Sequence, residues 1–372
     1  MRFQLSALAL ILGTFAADPH SGLAQQTATS ILQEDASYVD ADGTARVTRI
    51  VPMPATVSPE AQKYLTTPVP HPGPGASLAE IRASTDAMQA HDSALNRSMY
   101  PVNIESSTVA GVPVRIVTPV DPIPADKTDR VLICLHGGGY ITDSGSLTES
   151  IPIAHLTRTK VVSVLYRLAP EYPFPAGVDD SVAVYKELLR TYKPQHIAIY
   201  GASAGGVLTI EVAAKIKHLG LPMPGALGIF TASGDLSKEG DSTSIFSVVG
   251  LATHTTPRKN AGPSSPSYVG STDPKDPLLS PLYSDLRGMP PTLFLTSTRD
   301  MMLSDTTILH RAFLRAGDDT ELVVFEALTH GFWYEAGLPE SQEADRLIAH
   351  FFDVHLAASK SACTSRTHRT SP

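Results

Sequence analysis

Seven short apolar runs, spaced along the chain from Val112 onward, limit the architectures open to this sequence more than any other feature. They read "VPVRIVT", "VLICLHG", "VVSVLYR", "HIAIYG", "ALGIFT", "TLFLTS" and "ELVVFEA". Between them lie segments with helical spacing of apolar residues, near 178–192, 204–219, 305–316 and 339–357. A strand that is apolar at nearly every position has both faces buried, and strands alternating with helices are joined by crossover connections. The pattern therefore predicts an α/β fold, a mostly parallel sheet with helices on both faces. At 372 residues, 42% hydrophobic and 18% charged, the chain has the apolar content for one large core with a smaller appendage.

Two regions depart from the alternation. Residues 236–279 are polar and poor in strand signal, which in a compact domain marks a functional lid or an excursion. Upstream of Val112, "VPMPATVSPEAQKYLTTPVPHPGPGAS" is too rich in proline for central sheet, although Ser58 followed by Pro59 predicts a helix start. Ser77 and Glu80 then make a capping-box pattern, with Leu78, Ile81, Met88, Leu95 and Met99 at helical spacing. That spacing predicts an amphipathic helix with an apolar stripe to cover.

At the amino end, Arg2 precedes an apolar stretch from Leu5 to Ala17, followed by the small residues Gly22 and Ala24. This predicts a signal peptide over 1–24 and an exported protein, periplasmic or secreted. The stretch is shorter than the roughly 20 apolar residues of a membrane span, and no other segment approaches that length, so no integral membrane association is expected. A net charge of −8 without any block of lysine or arginine offers no handle for nucleic acid. The only cysteines, Cys134 in an apolar strand and Cys363 in a polar tail, do not suggest a bridge, so the fold rests on its core.

Three motifs sit at ends of the predicted strands. In "IYGASAGG", a strand stops at Ser203 between Gly201 and Gly205 and resumes as a helix. A sharp strand-to-helix turn lifts the serine hydroxyl clear of the backbone, over the positive end of the helix. The same pattern also serves as a plain structural turn, so the neighbouring motifs matter. "LHGGGY" exposes successive backbone N–H groups, as stabilisation of an oxyanion requires, and no lysine follows to make it a phosphate loop. Downstream, "TLFLTS" leads to Asp300 and "ELVVFEA" to His330, giving the chain order serine, acid, histidine of a hydrolytic triad. No two of the 13 histidines lie three or four apart, so no helix offers a two-histidine metal face. The run "YRLAPEYPFPAGVDD" reads as a segment that fixes a loop and caps the next helix.

Taken together, "HGGG", "YRLAPEYPFPA", "GASAGG", "DPLLSPLYSDLRGMPPTLF" and "HGF", in this order, resemble the hormone-sensitive-lipase-like α/β-hydrolases, which include the bacterial family IV esterases. The match runs from about Arg130 to Leu356. The resemblance implies an α/β-hydrolase catalytic domain over 107–358 with 236–279 as a cap-contributing insertion, a helical cap and extension over 25–106, and a polar tail over 359–372. It implies Ser203 as nucleophile, His330 as general base and acid, and Asp300 as the acid that orients the imidazole. Gly138, Gly139 and Ala204 would supply the oxyanion N–H groups, and His136 would be structural. Two departures stand out: Ala202 occupies a position commonly acidic or threonine, removing a local support, and "MMLSD" after Asp300 makes Asp305 a second candidate acid. Asp300 is preferred because it stands at the strand end.

The implied activity is hydrolysis of small-molecule carboxylic esters of short to medium acyl length, with no cofactor and no metal. A lactonase or amidase would use the same triad. A non-catalytic binding protein on this fold, as in the plant gibberellin receptors, would lack the histidine, whereas His330 is in place. The sequence allows a homodimer without specifying one.

Overall fold

The computed structural model describes residues 37–47, 51–67, 75–246 and 265–356. The expected signal peptide, the polar tail with Cys363, and residues 247–264 of the polar insertion lie outside the described residues. The chain divides into two compact units at Pro54. The described part of the first is a hairpin of β1 (Tyr38–Val39) and β2 (Ala45–Arg46), tied by Arg46 Nε donating to Asp40 Oδ2 at 2.8 Å.

The second unit is built on eight strands: β3 (Val102–Val109), β4 (Val112–Pro119), β5 (Val131–Leu135), β6 (Lys160–Val164), β7 (Ile197–Ala202), β8 (Ala226–Phe230), β9 (Thr292–Ser297) and β10 (Thr320–Phe325). They lie in the order β10-β9-β8-β7-β5-β6-β4-β3, parallel from β10 to β6 and antiparallel at β4 and β3. The seven apolar runs are all strands of this sheet. The eighth, β3, carries "VNIESSTV" along an exposed edge, where one partner strand and water on much of its surface demand no apolar run. Because β3 starts at Val102, the expected division at residue 106 falls inside a strand.

The continuous apolar runs are explained by what lies on each side. In β5, Val131, Ile133 and Leu135 enter one core while Leu132 and Cys134 enter the other. On the first side pack α4 (Ala176–Leu188), α5 (Ala204–His218) and α8 (Leu303–Ala316); on the second, α1 (Pro59–Thr66), α3 (Ser150–Thr157) and α9 (Pro339–His355). The start of α1 is as expected, with Ser58 Oγ accepting from Ala61 N, but Ala61 is buried in the sheet core and Ser58 also donates to Glu340. This part of the 25–106 region therefore belongs to the sheet's flank and not to a cap.

Helix α2 (Leu78–Met99) begins with the predicted capping box, but its expected stripe is covered only in part: Leu78, Ile81 and Met99 are half-buried, with Met99 against the sheet core. Met88 and Leu95 are exposed, and the buried positions are Gln89, Ser93 and Asn96. Gln89 faces backbone polar groups of the loop at 141–147, which it satisfies and an apolar side chain would leave unpaired, whereas Ser93 and Asn96 donate to carbonyls of their own helix. The "YRLAPEYPFPAGVDD" segment also differs in detail. Its acids cap no helix; Glu171 pairs bidentately with Arg82 of α2, and Asp180 binds the backbone N–H and the guanidinium of Arg167. In the polar insertion, α6 (Asp241–Ile245) and α7 (Pro266–Val269) are short, and Tyr268 of α7 stacks on Tyr140 with ring centroids 3.7 Å apart. Among the described residues no helix is long and apolar enough to cross a membrane.

Candidate active site

Ser203 lies between β7 and α5, with φ 57° and ψ −124°. A non-glycine residue held there costs on the order of 1–3 kcal/mol, so its surroundings must impose the geometry. Its N–H donates to Phe230 O of β8 at 3.0 Å and its carbonyl accepts from Val207 N at 3.0 Å, fixing the peptide on both sides. The flanking glycines answer to a neighbouring strand: a Cβ on either Gly201 or Gly205 would overlap the carbonyl oxygen of Leu135 at the end of β5. The elbow can fold only because these two positions carry no side chain.

The sheet then assembles residues far apart in sequence. His330 Nε2 is 2.8 Å from Ser203 Oγ, and His330 Nδ1 is 2.8 Å from Asp300 Oδ1. A carboxylate only accepts, so Nδ1 carries the proton and Nε2 faces the serine hydroxyl as acceptor. Asp300 is 1% exposed; its Oδ2 accepts from Thr296 Oγ1 and its Oδ1 from Met302 N, both at 2.8 Å. Asp305 is elsewhere, inside α8, with Ser233 Oγ at 3.4 Å and Gly240 N at 3.3 Å. Burial pushes its carboxyl up to about 6. Of the two acids, Asp300 is the one the histidine meets.

The glycine loop follows β5. Gly138 and Gly139 both have positive φ, 114° and 60°, and a Cβ on Gly138 would collide with Thr142 O. Ala204 opens α5, so its N–H has no partner within the helix. His136 is buried beneath, stacked on Tyr166 with its Nδ1 2.8 Å from Gly137 O, and faces neither Ser203 nor His330 in any contact of its ring.

Residues 132–334 match the family model described as alpha/beta hydrolase fold. This chain belongs to that family. An acetyl-hydrolase of Streptomyces hygroscopicus is 31% identical over 232 residues, covering 61% of this chain and 77% of the relative. A carboxylesterase of Mycobacterium tuberculosis is 29% identical over 250 residues, 62% and 76% of the two chains. The crystal structure of an esterase from the bacterial hormone-sensitive lipase family is similar at a TM-score of 0.66 with 28% identity, over 80% of this chain and 99% of that one. Another crystallised esterase reaches a TM-score of 0.72 at 31% identity, over 84% and 99%. The protein is accordingly a hormone-sensitive-lipase-like α/β-hydrolase and a carboxylic ester hydrolase.

Two residues of this hydrolase site carry no motif in the sequence. Thr231, buried and at φ 47°, places Oγ1 3.2 Å from His330 Nδ1. A β-branched residue with positive φ is strained, and only the fold reveals it. Glu149, 4% exposed, accepts through Oε1 from Gly137 N at 3.0 Å and Tyr334 OH at 2.6 Å, and through Oε2 from Ala202 N at 3.0 Å. The support expected to be missing beside Ala202 is thus supplied from 53 residues away. The one signal in the sequence was an acid set directly before the apolar run "SIPIAHL".

Proposed function

We propose that this esterase works through Ser203, His330 and Asp300, with Gly138, Gly139 and Ala204 as oxyanion donors, on esters of short to medium acyl length. The observation that carries the reading is the unbroken chain from Ser203 Oγ through both imidazole nitrogens to a buried carboxylate, each step 2.8 Å. His330 takes the serine proton as Oγ adds to the ester carbonyl, and the negative charge settles on the carbonyl oxygen facing the three N–H groups. Collapse expels the alkoxide, which leaves as alcohol with the proton from His330. Water, deprotonated by the same nitrogen, then releases the acid and restores the serine.

The chain-length preference draws support from the modest cover and from the relatives, one named an acetyl-hydrolase and another structure described as soaked with p-nitrophenyl butyrate. Each buried methylene adds about 0.8 kcal/mol until the pocket ends, so kcat/KM should peak at about four to eight acyl carbons. A p-nitrophenyl ester series, each measured below its micelle concentration and beside a matched lactone and anilide, tests this. A profile rising through sixteen carbons, or a rate jump on substrate aggregation, would overturn it. Arg2 followed by the apolar stretch Leu5 to Ala17 supports a leader over 1–24 and export, and the amino-terminal sequence of the mature protein checks both.

A further inference from the structure

We infer that Glu149 is a positioning residue that sets the oxyanion loop, the nucleophile elbow and the histidine loop against one another. The inference rests on the Ser203 reading above and deepens it. Glu149 stands just before α3 but leaves that helix uncapped; its carboxylate turns away to three other segments. Gly137 belongs to the glycine loop, Ala202 is bonded directly to Ser203, and Tyr334 lies four residues beyond His330. One group therefore touches the glycine loop, the serine elbow and the segment after His330, while Asp300 is held separately by Thr296 and Met302.

Three further observations fit a built socket. A Cβ on Gly145 would overlap Glu149 Oε1, so the glycine makes room for the carboxylate. A Cβ on Gly137 would lie 2.8 Å from the Tyr334 hydroxyl, so that close approach also needs a bare position. Tyr200 OH, from β7, donates to the Glu149 carbonyl at 3.1 Å and pins the backbone below the carboxylate. The three groups that face the side chain, the Gly137 and Ala202 N–H groups and the Tyr334 hydroxyl, are donors that favour the ionised carboxylate against the burial that pushes it up to about 8, and two acceptor oxygens satisfy them together. A glutamine cannot: whichever way its amide turns, its NH2 faces Ala202 N–H on one side or the Gly137 and Tyr334 donors on the other.

A displacement of a reacting group by about 1 Å costs roughly a hundredfold in rate while leaving substrate binding largely intact. Wild type, Glu149→Gln, Tyr334→Phe and Ser203→Ala are compared with p-nitrophenyl butyrate, rates being normalised to folded protein by circular dichroism and thermal melting. In folded Glu149→Gln, kcat should fall about a hundredfold with KM within about threefold. Affinity for n-butylboronic acid, which Ser203 Oγ converts to a tetrahedral adduct as its proton passes to His330, should fall by the same factor. Tyr334→Phe keeps both backbone donors and should lose about fivefold in the same two readouts. A kcat within threefold of wild type in folded Glu149→Gln, or a loss that appears in KM and not in boronate affinity, overturns the inference. If Glu149→Gln does not fold, Tyr334→Phe decides, and unchanged kcat and boronate affinity there overturn it. Full activity of Ser203→Ala would instead overturn the triad reading, so the two failures are distinguishable.

Discussion

Around the strand ends, His330 is tied to Asp300 and Ser203 across 30 and 127 residues, and Glu149 to Ala202 and Tyr334 across 53 and 185, with Asp300 and Glu149 buried and accepting several donors each. Helix α2 is held differently: Gln89 bridges Asp143 O and Leu147 N, Arg82 reaches Ile141 O, Ala169 O and Glu171, and the apolar residues Met88 and Leu95 face outward. The first region is over-determined by the sheet, as groups that must keep sub-ångström geometry require. The second is fastened by a few side chains to loop backbone. The difference teaches that chemistry and cover are built by separate means, so they should respond differently to mutation.

The largest effect is expected at Ser203, the proposed nucleophile. Ser203→Ala should leave the melting temperature close to wild type, since alanine keeps the same elbow backbone and loses only the hydroxyl that meets His330, while kcat falls on the order of a million-fold. Activity within tenfold of wild type would remove the distinction at its root. Asp300→Asn should cost about ten-thousand-fold in kcat, because an amide at that position stabilises the wrong imidazole tautomer. The matched Asp305→Asn should stay within a few-fold of wild type, and a reversal of the two effects would transfer the orienting role to Asp305.

Gln89→Ala probes the cover. It strips partners from Leu147 N–H and Asp143 O, so unfolding by urea should show a loss of about 1–3 kcal/mol. Its kcat should stay within tenfold. A loss as deep as that of Asp300→Asn would mean that cover and floor are one unit.

The smallest effect concerns pH and stability. Burial raises the Asp305 carboxyl to about 6, above the ordinary aspartate value of 3.8. The folded chain therefore holds this proton where the unfolded chain has lost it. The associated stability is complete below about pH 4 and is lost as pH rises through about 6. Melting temperatures measured from pH 4 to 8 should decline less steeply in Asp305→Asn than in wild type, and identical slopes would refute the assignment.

The comparison also divides what the chain reveals in one dimension. Apolar runs of β5, β7, β8 and β9 were legible because burial on both faces leaves no charged position and few polar ones, whereas β3 was hidden by its exposed edge. The stripe of α2 held at Leu78, Ile81 and Met99 but failed at Met88 and Leu95, since hydrophobic spacing says nothing of a partner surface made of carbonyls and amides, which Gln89 meets instead.

For the site, the sequence by itself determined the nucleophile elbow and the glycine loop, because their backbone geometry demands particular residues at adjacent positions: glycines where Leu135 O and Thr142 O crowd the chain. It also determined the order of acid and histidine at strand ends. Tertiary structure alone decided that Asp300 rather than Asp305 meets His330, that Thr231 stands beside the imidazole, and that Glu149 replaces the support absent at Ala202. The physical reason is that a local motif is fixed by sterics between neighbours in sequence, while a hydrogen bond needs only a donor and an acceptor brought within about 3 Å, and the sheet can recruit those from anywhere in the chain.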